Sequence, residues 1–565
     1  MTHLCIERRR SAAAARLIGL LAIGALVLAG CAPAEEAAPG AATGEGDADH
    51  DSAVGEPDGE PSVGGAVAVG LEAESAGWAP WEDAFAPPSH LVGRSFYDPL
   101  MDRDSDGMPQ PYLAESMEPD DDFTAYTLTL REGVEFHDGE PLDADAVVAN
   151  LERHLEPGAV TSGGMAPVES VSAEDELTVR IELDQPHVAF SDYLVGQIGY
   201  MVSPAAFDSA SEQPVGTGPF VFESWQRDQE LLVSRNEDYW RDGLPYLEEI
   251  SFRPIPDEDT RLQSLFSGDL QVIQTLRQGQ IAQARERADE FNLFEHIGND
   301  AGGAIYNMQE PPVDDVRVRQ AVAHALDQDE LIEVLGGTGM TPPAHGVFNP
   351  DSPWYDPEME DIWPGHDLER AQELIDEYVE DPDRSDGREP GEPVEFTFDI
   401  PPDPSLLEIA AAYQAQIGEI GIEMEIRNVD QATHVQEAIG TPPDFVGDYQ
   451  VKAWRIGEES DPDWMVPYYA PGSPSNFPNI ESDELMGLLL EARQTPELEE
   501  RRELYHQVNA LFAEEVPFTL SGHTASLLGT DPDLYGFDEY ELPDGQDGVA
   551  HPESVGRWTH VWLDR

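Results

Sequence analysis

Lysine is almost missing from this sequence. Lys452 is the only one in 565 residues, and the rest of the 30 basic side chains are arginine. Against them stand 114 acidic side chains, for a formal net charge of −84. Nucleic acid is excluded as a partner, because its phosphates would be repelled. Docking on an anionic membrane surface is excluded for the same reason. A Walker A loop requires Gly-Lys, and Lys452 follows Val451, so a P-loop is excluded too. Acyl-enzyme chemistry of the Ser-x-x-Lys type falls with it. Cysteine is nearly absent: Cys5 and Cys31 rule out a cysteine-based metal site. Neither Gly-x-Ser-x-Gly nor His-Glu-x-x-His occurs. The 15 histidines are scattered singly, which indicates no dedicated nickel site and no other resident cofactor. The one long apolar run, Leu17 to Leu28, is too short for a comfortable membrane span.

That run belongs to a processing segment. Arg8, Arg9, Arg10 and Arg16 precede it, and Leu28-Ala29-Gly30-Cys31 follows in the form of a bacterial lipobox. Residues 1–30 read as a lipoprotein signal peptide, with Cys31 as the lipidation site. Cleavage would remove four arginines and Glu7, taking the charge from −84 to about −87 and leaving no partner for a disulfide. Residues 31–61 carry no aromatic side chain and read as the lipidated cysteine and a disordered tether. The expected location is extracytoplasmic, on the outer face of the cell membrane, with the lipid as the sole membrane contact. Acidic residues are spread along the whole chain, which points to a protein working in high salt, where charges are screened within ~3 Å at 1 M.

Length predicts several domains and a large core. Val63 to Leu71 reads as an opening strand, followed by a loop with Trp78 and Trp81. Asp102, Asp104, Asp106 and Gly107 begin like an EF-hand loop. Leu113 stands where a bidentate Glu is needed, and Pro109 and Pro111 interrupt the run, so a hairpin turn is the better reading. Asp143 caps a helix through Val147, Val148 and Leu151. Gly216-Thr217-Gly218 enters a hairpin in which Phe220 and Phe222, then Leu231 and Val233, alternate. A strand from Ile250, a helix from Asp259 to Gly268 and a short strand Ala304 to Tyr306 follow. Asp314 or Asp315 caps a helix with Val318, Ala321, Val322 and Ala325 on one face. Val394 to Ile400, a helix through Tyr413, and Ile422 to Ile426 spell a βαβ unit with a parallel pair. Gln450 to Trp454 is a strand. Helices run from Asp483 to Arg493 and from Glu497 to Glu515. Trp558, His560 and Trp562 alternate as a terminal strand.

Several stretches resemble one family in their wording. They are Tyr97-Asp98-Pro99-Leu100, Asp104 to Gly107, Leu130 to Gly139 with its Phe136-His137-Asp138-Gly139, Gly216 to Phe220, Asn236 to Trp240, Val318 to Ala321, and Trp454 with Asp461-Pro462-Asp463. Together they resemble the family 5 extracellular solute-binding proteins, the peptide and nickel receptors of ABC importers. Met117 and Ala146 depart from the usual residues at structural positions. The resemblance implies an α/β, two-lobed periplasmic-binding-protein-like fold of the cluster C type, with an extra domain in the first lobe. The first lobe would comprise 62–95, 214–303 and 526–565 (domain I) with the extra domain 96–213 (domain II). The second lobe would be 304–525 (domain III).

It further implies a monomeric, non-enzymatic receptor that captures di- or oligopeptides by lobe closure. The permease and ATPase would be other chains. Implied ligand contacts are Glu74, Trp78 and Trp81 in the loop after the first strand, and Trp454, Arg455 and Glu458 near the turn after Gln450 to Trp454. Glu458 would pair with the ligand's amine, one residue out of register with Trp454 but in register with Asp461. Another solute (a sugar, opine or nickel chelate) remains an alternative, as does a secreted glycosidase using two carboxylates.

Overall fold

A computed structural model describes residues 57, 59–156, 158–440, 445–457, 461–549 and 556–564. The signal peptide, Cys31, most of the tether and Glu458 lie outside the described residues. Ten strands form one sheet. In chain order they are β1 (Ala66–Leu71), β2 (Phe220–Gln226), β3 (Glu230–Arg235), β4 (Glu249–Pro254), β5 (Val272–Thr275), β6 (Asn292–Tyr306), β7 (Val394–Ile400), β8 (Ile422–Asn428), β9 (Val451–Ile456) and β10 (Phe518–Thr530). Their spatial order is β8-β7-β9-β6-β10-β5-β1-β4-β3-β2.

The expected hairpin is present, with Phe220 opposite Arg235 and Phe222 opposite Val233. Its glycine entry has a cause other than the turn itself. A Cβ on Gly216 would lie 2.0 Å from the Phe96 carbonyl oxygen, and one on Gly218 2.5 Å from the Phe96 carbonyl carbon. The Gly218 amide donates to that same Phe96 oxygen at 3.1 Å. The glycines therefore let the sheet touch the backbone at the end of helix Pro87–Phe96. The βαβ unit is also there: β7 and β8 run parallel in register from Val394–Ile422 to Ile400–Asn428, joined by helix Pro404–Gly418.

Two cores cover opposite faces of β9, and one of them also takes the side chains of β7. Val394, Phe396 and Phe398 pack with Ala321, Leu374 and Tyr413 from three helices. Trp464, Leu489, Tyr505 and Phe512 form the other, with Ile456 of β9. Toward the other end of the sheet, β1, β3 and β4 share a core with Trp78, Phe96 and Trp558. A separate antiparallel sheet (Ala114–Pro119, Ala125–Leu130, Thr178–Leu183, Val168–Ala173) has its own core with Val147, Phe190 and Leu194. Its helix Ala144–Leu155 is capped by Asp143, which accepts from the Ala146 amide at 2.9 Å. Asp104 organises the turn between Met101–Arg103 and Pro109–Pro111 by accepting from the Asp106 and Met108 amides.

Two readings need correction. The strand expected from Ala304 begins at Asn292 and runs for 15 residues. The strand bulges between Ile297 and Ala301 and shifts register again at Gly302/Gly303. A Cβ on Gly303 would meet the Thr519 carbonyl oxygen at 2.0 Å, so the close strand approach demands glycine there. The expected terminal strand of Trp558, His560 and Trp562 is instead a 3-10 turn, Trp558–His560, before a two-residue strand. Trp558 is wholly buried edge-on against Phe252 and Phe537, with its indole N–H on the Leu91 carbonyl.

Candidate ligand-binding site

β6 and β10 carry the chain between the two sets of cores. Their outer halves pair as Asn292–Ile297 with Ala525–Thr530, and their inner halves as Ala301–Ile305 with Phe518–His523. β5 pairs with the Leu527–Thr530 half and runs so that Thr275 points toward the crossing. β1 is parallel to β5, so Leu71 points the same way. On the other side Ile456 of β9 pairs with Ala301, so β9 also ends at the crossing, and β7 runs parallel to it. The carboxyl ends of both parallel sets thus converge on one place, where open α/β sheets present ligand sites.

Polar groups gather there. Buried Arg261 donates to the Gln274 and Ile255 carbonyls at 3.1 and 2.6 Å, and its other nitrogen lies 3.6 Å from Glu72. Burial, opposed by Glu72, lowers the pKa of this guanidinium below its ordinary value. Arg277, just after β5, lies 3.4 Å from Asp403, the cap of the helix after β7. Asn299 in the bulge accepts from the Asn349 amide at 3.0 Å. Asp300 beside it pairs with Arg455. Gly457 follows with φ of +104°, where a Cβ would lie 2.6 Å from the Asn299 carbonyl oxygen.

The implied contacts fall in different places. Glu74 accepts from the Trp225 indole at 2.8 Å and from the Asp228 amide, so it holds its loop onto the β2–β3 hairpin. Trp78 is packed among Phe85, Phe96 and Trp225, and Trp81 against Phe207. Both are buried in a core, only 2% and 8% exposed. Aromatic area of that size is more readily buried in a core than left in solvent. Trp454 is half-buried on β9, stacked on His434 and 4.6 Å from Phe477. Arg455 lies next to it on the strand, half exposed and held by Asp300.

The Asp461-Pro462-Asp463 turn shows what the sequence reading missed. Asp463 takes both Arg493 nitrogens, Nε at 2.8 Å and Nη2 at 2.7 Å, and lies 3.1 Å from His187 Nε2. Tyr193 donates its hydroxyl to the same carboxylate at 2.9 Å. Asp461 is gripped by both terminal nitrogens of Arg501. Burial pushes the Asp463 carboxyl up, but His187 and Arg493 overcome it and hold it well below the usual carboxylate range. Asp461 is raised, because burial and the neighbouring Asp192 and Asp463 outweigh Arg501. No spacing rule would have joined residues 187–193 to 461–463. The usable signal was Arg493 and Arg501 on apolar-faced helices of a chain so poor in cations.

Residues 108–477 match the bacterial extracellular solute-binding proteins, family 5. The chain belongs to that family. The glutathione-binding protein GsiB of Salmonella paratyphi A is 29% identical over 493 residues, covering 81% of this chain and 91% of that protein. The fold resembles DppA from Helicobacter pylori in complex with the peptide STSA, with a TM-score of 0.73 and 22% identity over 89% of this chain and 99% of that one. It also resembles AgaA in complex with agropinic acid from A. tumefacien R10, with a TM-score of 0.74 and 25% identity over 89% and 99% of the two chains. This family 5 protein therefore has the two-lobed binding-protein fold, and the relatives are named as binding proteins, DppA as one associated with an ABC transporter. Among the described residues no helix is long and apolar enough to cross a membrane.

Proposed function

We propose that this family 5 protein is the lipid-anchored receptor of an ABC importer and captures peptides by lobe closure. The observation that carries the reading is the convergence of β1, β5, β7 and β9 on the β6–β10 crossing. The lobes divide at that crossing, with residues 96–213 as the extra domain of the first. The residue proposed to take the peptide's amine is Glu458. Burying an ammonium without a partner costs several kcal/mol, and a carboxylate at Glu458 offsets that. A permease and an ATPase on other chains complete the importer.

Relatives named for glutathione favour a short peptide of unusual linkage as one specific candidate. A thermal-shift screen of the chain from residue 32, in molar salt, tests both readings with glutathione, di- to pentapeptides, sugars, opines and nickel–histidine. Saturating ligand raises the melting temperature by mass action, about 2.7 kcal/mol at a hundredfold excess over Kd. A shift with peptides that disappears in Glu458→Gln supports the class and the residue. A shift that survives Glu458→Gln discards the residue, and shifts confined to sugars, opines or nickel chelates discard the peptide assignment. Hydrolysis of chromogenic glycosides would overturn the receptor reading.

A further inference from the structure

Residues 187–193 and 461–463 come from separate cores. Phe190 and Leu194 pack with the four-stranded sheet of the first lobe. Trp464, Met465, Leu489 and Tyr505 pack in the second. The polar contacts between them are the Tyr193 hydroxyl and His187 Nε2 on Asp463, the Asp461 amide on the Asp192 carboxylate at 3.0 Å, and the Val188 amide on the Arg493 carbonyl at 2.9 Å. Each is a single side chain or a single amide, not a strand ladder. Breaking them unfolds neither core.

Each half is also neutralised by itself. Asp463 keeps Arg493 and Asp461 keeps Arg501, all four in the second lobe. Asp192 keeps Arg103, 2.7 Å away in the first. Parting the halves takes His187 from Asp463 but leaves each buried carboxylate its arginine, so no carboxylate is stranded without a cation, which is the costly event in a buried ion pair. A permanent seam has no need of this arrangement, whereas a seam that opens and closes does.

We propose that this junction is a closure latch, intrinsic to the ligand-free chain, and that Asp463 is a positioning residue that sets solute affinity through lobe closure without touching solute. The latch rests on the receptor reading, but its test uses no solute, so the two can fail separately. Hydrogen exchange of the full chain without ligand reads it directly, because the Val188 and Asp461 amides lie on opposite sides of the seam. The expected result is one shared opening: both amides equally protected, and at least about tenfold less than those of the β6–β10 ladder. Tyr193→Phe removes one hydrogen bond to a charged acceptor and should speed both by about tenfold, leaving Leu128 and Leu489 unchanged. His187→Gln should act in the same direction and serves if Tyr193→Phe does not fold. Core-like protection of the two amides in the native chain would overturn the latch. So would a variant that frees Val188 but not Asp461.

Discussion

Acidification from pH 7 to pH 5 should weaken this protein through histidines that it buries uncharged. Burial, with Arg557 and Arg94 nearby, lowers His90 to about 3. Burial lowers His137 and His154 to about 4, and, helped by Arg241, His560 to about 4. In the unfolded chain each titrates near 6.5. Between pH 6.5 and these values the unfolded state binds more protons, so stability is full above 6.5 and falls as pH drops. A fully buried histidine such as His154 loses about 2 kcal/mol between pH 7 and pH 5. The other three keep some solvent contact and are credited with about half that. Asp98 opposes the trend: burial, against the Trp240 and Arg94 contacts, raises it to about 6, so folding takes up a proton below that pH. It returns about 1 kcal/mol. The net loss is about 4 kcal/mol, or a fall of roughly 4 °C in Tm for a cooperative unit of this size. Thermal melts in 2 M salt, where surface repulsion is screened, measure it. A Tm that holds steady or rises between pH 7 and pH 5 would refute the argument.

The remaining predictions concern packing and charge. Lys452 is wholly buried, with Nζ 3.1 Å from Glu437 and 3.4 Å from Asp399. Lys452→Met leaves buried Asp399 with Arg427 alone and should cost about 3 kcal/mol by denaturant unfolding; a loss under about 1 kcal/mol would mean that Arg427 suffices. Gly218→Ala drives a Cβ into the Phe96 backbone and should cost about 2–3 kcal/mol. Gly279→Ala, on helix Gln278–Arg285 with open space around it, should be neutral or gain up to about 1 kcal/mol; equal effects of the two substitutions would remove close approach as the reason for glycine. The Tm of the folded domain should climb from 0.1 M to 2 M salt as acidic repulsion is screened, and a flat profile would count against adaptation to high salt.

Periodicity and capping chemistry act within a few residues, and there the sequence was enough. The β2–β3 hairpin, the parallel β7–β8 pair, the helix capped by Asp143 and the helix for which Asp314 or Asp315 was the candidate cap were all legible from alternation, 3.6-residue spacing and an acid at the right place; the structure selects Asp315. Ordered motifs were enough for the family, because a set of short patterns in fixed order is far more specific than any one of them. The tertiary structure decided what depends on contacts between distant segments. Ala304 to Tyr306 reads as a strand of three residues, yet pairing of Ala301 to Ile305 with β9 and β10, and of Asn292 to Ile297 with β10, makes it the end of a 15-residue strand. Trp78 and Trp81 carry nothing local that distinguishes a core from a cleft, and only the positions of Phe85, Phe96, Phe207 and Trp225 place them in a core. Asp461 and Asp463 are two acids among 114 until Arg493, Arg501, His187 and Tyr193 close around them. Charge in the sequence says what the surface repels; which carboxylates are dry and paired is set by the packing of elements far apart in the chain.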